Sequence, residues 1–176
     1  MLPAAPDEIT LFAIGDVKPH ILTRLGVAIG GAFKRRCCIG RALPKPGYAY
    51  DTRRTQYSAE AILAQFDVGQ SGRVLGVADL DLFVPQLNFV FGLADPYQRR
   101  AIIALPRLRD SFYGAPDDEA LFLARAVKEA VHELGHTYGL SHCQDRRCVM
   151  AFSNSLPDTD HKSRDFCSRC REQLHR

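Results

Sequence analysis

Apolar positions recur along this chain with two different periods. The run EITLFAIG, Glu8 to Gly15, is almost continuously apolar and predicts a buried strand. Asp16 then sets up a helix, with Pro19 in its first turn, where a missing N–H costs nothing. Ile21, Leu22, Leu25, Ile29 and Phe33 follow at helical spacing. RRCCIGRAL predicts a second strand, and PKPGYAYD a loop. Ser58 is placed to cap a short helix over AEAILAQF. GRVLGVADL, bounded by glycines, and RAIIALPRL predict further strands, and the weakly alternating QLNFVFGLAD predicts one at an edge. Strand, helix, strand, helix and then several strands imply an α/β (α+β) chain, a mixed sheet with helices packed on it.

The clearest helical period lies in GAPDDEALFLARAVKEAVHELGHTYGL. Pro116, Asp117, Asp118 and Glu119 open it, the acids complementing the positive helix end. Gly139 can end it, because glycine takes the left-handed conformation cheaply. Leu123, Val127, Ala130 and Leu134 are expected to face the core. His132 and His136, four residues apart, point together along a different face. A helix built for packing alone has no reason to do both.

Those two histidines open the string H-E-x-x-H-x-x-G-x-x-H, the metzincin pattern. Two imidazoles leave a zinc ion under-coordinated, and the turn at Gly139 returns a third, His142. Three protein ligands plus a water are what a catalytic zinc needs; four would close the site. Zinc suits imidazole, although iron or cobalt could occupy the same ligands. Glu133 is positioned to act on the metal-bound water. Met150, eight residues past His142, matches the methionine turn of such sites, although a methionine alone is more often core filler.

Cys143, Cys148, Cys167 and Cys170 follow as C-x4-C-x18-C-x2-C, the layout of a four-thiolate zinc site. A closed sulfur tetrahedron has no open position, so its role is structural, tying a last helix around Cys167 to His175 to the segment carrying His142. An iron–sulfur cluster is the alternative for the same thiolates. Cys37 and Cys38 lie in a predicted strand without a second pair and read as plain core or edge cysteines.

At 176 residues the chain is sized for one domain, residues 1–176, with an N-terminal portion over residues 1–142 and a C-terminal portion over residues 143–176. The net charge of +3 comes with arginine pairs scattered along the chain, which argues against nucleic acid. The N-terminus lacks the basic start of a signal peptide, and the uncharged apolar run LGVAIGGAF is too short to span a bilayer. A cytoplasmic monomer without a membrane partner is therefore expected, and in that compartment cysteines point to metal before disulfides.

Taken together, the segment from His132 to Cys170 resembles the archaemetzincin family of zinc metalloproteases, which joins the metzincin motif to four cysteines with the step CVM between. The gap of sixteen residues from Met150 to Cys167 is one shorter than the usual family spacing. The resemblance implies a metzincin-like fold: a twisted, mostly parallel sheet, an active-site helix, a backing helix from Val17 to Phe33, and a small zinc-bound C-terminal portion. It implies two zinc ions per chain. One is catalytic, on His132, His136 and His142, with Glu133 as general base and acid; the other is structural, on Cys143, Cys148, Cys167 and Cys170. The implied reaction is hydrolysis of a peptide or protein substrate, with QLNFVFGLAD lining the cleft and Ala151 to Asn154 walling a side-chain pocket. A zinc-stabilised peptide-binding or regulatory module with little hydrolysis is the competing reading, and Glu133 argues against it, because a structural site has no use for a carboxylate there.

Overall fold

The computed structural model describes residues 8–67 and 72–174. In chain order its regular elements are β1 (Ile9–Ile14), α1 (Pro19–Phe33), β2 (Cys37–Ile39), β3 (Tyr50–Asp51), β4 (Gln56–Ser58), α2 (Ala59–Leu63), β5 (Arg73–Ala78), β6 (Leu82–Phe83), β7 (Gly92–Asp95), β8 (Arg100–Ala104), α3 (Glu119–Thr137), α4 (Leu156–His161) and α5 (Ser168–Leu174). The main sheet has the order β2-β1-β5-β8-β7. Its first four strands are parallel, and β7 runs antiparallel to β8 at one edge, with Gly92 opposite Ile103 and Asp95 opposite Arg100. The expected mixed, mostly parallel sheet is therefore present.

Strand periodicity divides the core in two. Ile9, Leu11 and Ala13 of β1, Leu75 and Val77 of β5, and Ala101 and Ile103 of β8 pack with α1 and α3. The alternate residues Phe12, Ile14, Val74, Ala78, Ile102 and Ala104 pack with Ile62 and Leu63 of α2. Both faces are covered, so these strands read as continuous apolar runs rather than alternating ones. The first core extends without a break into Met150, Phe166 and Cys170 of the C-terminal portion.

Several boundaries differ from the sequence reading. The first helix starts at Pro19, two residues after Val17, because Lys18 is still extended; Asp16 pairs with Lys45 and does not cap it. PKPGYAYD is not wholly a loop: Gly47–Ala49 forms a 3-10 turn and Tyr50–Asp51 joins a second, three-stranded sheet, β3-β4-β6. In QLNFVFGLAD only Gly92–Asp95 is strand, and it is an edge strand as expected. Ser58 does cap α2, its Oγ accepting from the Ala61 N–H. On α3 the fully buried stripe is Phe122, Ala126, Ala130 and Leu134, while Leu123 and Val127 are only half-buried beside it. Ala130 and Leu134 are buried as expected, while Phe122 and Ala126 take the places expected of Leu123 and Val127, because the helix lies on both the sheet and α1. The expectation about a signal peptide falls on residues 1–7, and the end of the last helix on His175, both outside the described residues. No described helix is long and apolar enough to cross a membrane.

Candidate active site and cysteine cluster

Helix α3 presents the histidines because both of its ends are held. Asp118 caps the start, its side chain accepting from the Leu121 N–H at 3.0 Å. At the other end the Gly139 N–H donates to the His136 carbonyl and the Leu140 N–H to the Gly135 carbonyl, while Gly139 adopts φ +85°. This paired closure reverses the chain and carries His142 back toward the helix. The ring-ligand atoms of His132, His136 and His142 all lie within 4.8 Å of one another.

Two backbone carbonyls orient the rings. His132 Nδ1 lies 2.8 Å from the Val149 carbonyl and His136 Nδ1 lies 2.7 Å from the Leu140 carbonyl. A carbonyl only accepts, so each Nδ1 carries the proton and each Nε2 keeps its lone pair. Those two Nε2 atoms stand 3.1 Å apart. Two lone pairs that close repel unless a cation lies between them, and a tetrahedral zinc site with bonds of about 2.0 Å separates its nitrogens by about 3.3 Å. The donor set thus fits zinc. The proton affinities agree: burial pushes His132 well below the ordinary imidazole value, with Lys162 and His136 adding to it. Burial lowers His136 and His142 as well. Each shift favours the neutral form that a metal requires.

Glu133 is buried beside them, and a glycine makes room for it. A Cβ added at Gly92 on β7 would stand 2.5 Å from Glu133 Cγ and 2.7 Å from Oε1. Burial, reinforced by the charge of Glu129 and opposed by Lys162, pushes the Glu133 carboxyl up to about 8. Met150 is fully buried and packs against Gly135, where an added Cβ would collide with its Sδ. The Met150 carbonyl accepts from the Cys143 N–H at 2.8 Å, which fixes the methionine turn to the strand of chain carrying His142.

The site opens into a cleft of about 380 Å³. Its walls include Phe89 to Ala94 on one side, Glu129, His132, Glu133 and His136 from α3, and His142, Phe152, Ser153 and Asn154. The edge of β7 and the residues after the methionine turn thus face the same space. Glu129 and its partner Lys162 were not found from the sequence. Glu129 sits one helical turn before Glu133, a register that could have flagged it; Lys162 lies in the C-terminal portion with no local signal.

The four cysteines also converge. Their sulfurs lie within 4.8 Å of one another, with Cys143 Sγ and Cys167 Sγ 3.8 Å apart. A zinc tetrahedron with bonds of about 2.3 Å has edges of about 3.8 Å. None of them is in a disulfide. Burial works against ionising Cys143, yet hydrogen bonds from the Asp145 backbone, Arg169 and the neighbouring thiols outweigh it and lower the thiol to about 7. Burial and the neighbouring thiols raise Cys170. Cys37, by contrast, is pushed up to about 11 by burial, with Cys38 and Glu8 adding to it, and is an inert thiol on β2.

Helix α4 locks this portion to α3. Arg125, buried, makes two bonds to Asp160 at 2.7 and 2.8 Å and further bonds to Asp110 and the Leu108 carbonyl. Lys128 Nζ donates to the Thr159 and Asp160 carbonyls.

Residues 47–176 match peptidase family M54. The archaemetzincin of Methanocaldococcus jannaschii is 42% identical over 167 residues, covering 95% of this chain and 92% of that protein. The archaemetzincin of Pyrococcus abyssi is 40% identical over 177 residues, covering 96% and 94%. Among solved structures, a zinc-dependent peptidase from Methanocorpusculum labreanum superposes with a TM-score of 0.85 at 29% identity, over 94% of this chain and 99% of that one. The archaemetzincin of Archaeoglobus fulgidus, complexed with malonate, gives 0.84 at 33% identity over the same shares. Fold and likeness together define a zinc-dependent metallopeptidase. Within that class the chain belongs to peptidase family M54, the archaemetzincins.

Proposed function

We propose that this chain hydrolyses peptide bonds with Glu133 as general base and acid, and that a second zinc on the four cysteines is purely structural. The observation that carries the first half is the convergence of three imidazoles beside a buried carboxylate, in a cleft bounded by a free strand edge. His132, His136 and His142 would hold the catalytic zinc. That ion would supply Lewis-acid polarisation of the scissile carbonyl and of a water molecule.

The chain's own groups do the rest. The free edge of β7 hydrogen-bonds an extended peptide backbone, which sets the register of the scissile bond. Glu133 takes a proton from the attacking water on a carboxylate oxygen and hands it to the departing amine nitrogen. Burial raises its affinity for that proton, which suits a group that must both take and return it near neutral pH. Gly92 allows the carboxylate to stand against β7, beside the path of the substrate. The carbonyls of Val149 and Leu140 hold two of the imidazoles in the ligating tautomer.

Cys143, Cys148, Cys167 and Cys170 would hold the structural zinc. Their sulfur separations support this, and a site with four protein ligands leaves no position for substrate. Residues 1–142 and 143–176 act as one domain, a reading supported by the shared core around Met150, Phe166 and Cys170.

The test is a peptide-library digest by the zinc-loaded parent protein and by Glu133→Ala, read by mass spectrometry. Cleavage by the parent alone, with two zinc ions per chain in both proteins, is expected. Cleavage by Glu133→Ala at the parent rate would refute the role of Glu133. A zinc content of one would refute the second site.

A further inference from the structure

One wall of the cleft carries a carboxylate, Glu129, that is ion-paired behind the lining and that peptide hydrolysis does not require. Glu129 lies on α3 one turn before Glu133 and lines the cleft, yet it is only 3% exposed. Lys162 Nζ stands 3.0 Å from Glu129 Oε1, and Thr159 Oγ1 donates to the same oxygen at 3.1 Å. Lys162 and Thr159 are themselves buried, and Lys162 also reaches the Ala151 carbonyl at 3.4 Å. Both of these bonds to Glu129 fall on Oε1. Oε2 is the oxygen it can turn to the cleft.

The other side chains around it are informative. Among the described residues no lysine or arginine lines the cleft, and its acidic walls are Glu129 and Glu133. Ser153, in the same lining, has a buried Oγ with no hydrogen-bond partner among the described residues. A buried polar group left unpaired is costly, so one in a cleft lining is completed by water or by a bound ligand. The cleft thus offers an acceptor on Glu129, about one helical turn (roughly 6 Å) along α3 from Glu133, and an unused hydroxyl on Ser153 in the same lining. That is within reach of a medium-length side chain next to the scissile bond.

We propose that Glu129, braced by Lys162 and Thr159, makes this cleft select a substrate side chain bearing a carboxamide, glutamine or asparagine, next to the scissile bond. The inference rests on the cleft being the peptide site proposed above. A carboxamide N–H donates to Glu129 Oε2, and its carbonyl accepts from Ser153 Oγ. An acidic side chain meets a carboxylate and is rejected. A lysine brings a second cation to a carboxylate that Lys162 already neutralises, and its desolvation is not repaid. A leucine leaves the Ser153 hydroxyl unpaired and offers Glu129 Oε2 no donor.

The test ranks blocked peptides that differ at one position, occupied by glutamine, leucine, glutamate or lysine. Binding is measured by fluorescence anisotropy on zinc-loaded Glu133→Ala, and cleavage on the parent. The glutamine peptide is expected to bind and react about ten- to a hundredfold better than the leucine or glutamate peptides, the span of one hydrogen bond to a charged group. Replacing the pair by apolar groups, Glu129→Leu with Lys162→Met, should reverse the order of glutamine and leucine. If that double variant fails to fold, Ser153→Ala should shrink the preference for glutamine over leucine. A leucine or lysine peptide that binds Glu133→Ala as well as glutamine does would overturn the proposal, as would an order unmoved by these variants. Retention of the binding order without any cleavage by the parent would instead refute the hydrolytic role and leave this inference standing.

Discussion

Gly92→Ala is a one-carbon perturbation aimed at Glu133 and at no metal ligand. The new Cβ would stand 2.5 Å from Glu133 Cγ and 2.8 Å from Cδ, whereas ordinary contact begins near 3.4 Å. One of the two elements must yield. Helix α3 is pinned, since Ala130 and Leu134 on either side of Glu133 are fully buried. Strand β7 is bonded on one side only, to β8, but Ala101 and Ile103 of β8 are buried under the same helix. The cheapest response is rotation of the Glu133 side chain away from β7, a displacement approaching 1 Å. Misplacement of a reacting group by that much costs about 10²-fold in rate. Overpacking adds a destabilisation of about 1–3 kcal/mol, and a chain of this length loses roughly 2–4 °C in Tm per kcal/mol. The assay is kcat/KM on the peptide that the parent cleaves best, with zinc content measured on the same sample. The expected pattern is a large fall in kcat/KM at unchanged zinc. Parent kcat/KM at full zinc loading would show that Glu133 need not stand against β7, and the reasoning about its position would fail.

The remaining expectations concern the C-terminal portion. Cys167→Ser should remove one zinc equivalent and lower the melting temperature, because one sulfur of the cluster at 3.8 Å from Cys143 is lost; unchanged metal content and Tm would refute the structural site. Arg125→Met should destabilise by about 3 kcal/mol, the lower end for breaking a buried pair, since Asp160 and Asp110 are partly exposed and can rehydrate. Urea denaturation measures it, and a loss under about 1 kcal/mol would mean that the pair behaves as a surface one.

Much of the site was legible in the sequence, because helical geometry converts spacing directly into direction. His132 and His136 at a separation of four share a face of α3 whatever lies around them, and Gly139 announces the reversal that returns His142. The four cysteines were legible for a similar reason: two close pairs limit where a single ion can sit. Edge strand β7 was only partly legible. Its alternation is weak because Gly92 is there to admit Glu133, so a residue that serves the site erases the pattern that would reveal the strand. The short strands β3, β4 and β6 carry two or three residues each, too few for any period to register.

The order of elements, the face that carries the histidines and the donor types of both candidate metal-binding groups were determined by the sequence itself, through local rules of period, capping and ligand chemistry. The tertiary structure alone decided that Gly92 abuts Glu133 and that Gly135 admits Met150. It alone decided that Lys162, thirty residues after His132, is buried against Glu129. The physical reason is that steric fit and ion pairing depend on distance in space. Two residues on different elements acquire a distance only when the core packs, and nothing in their local sequence records it.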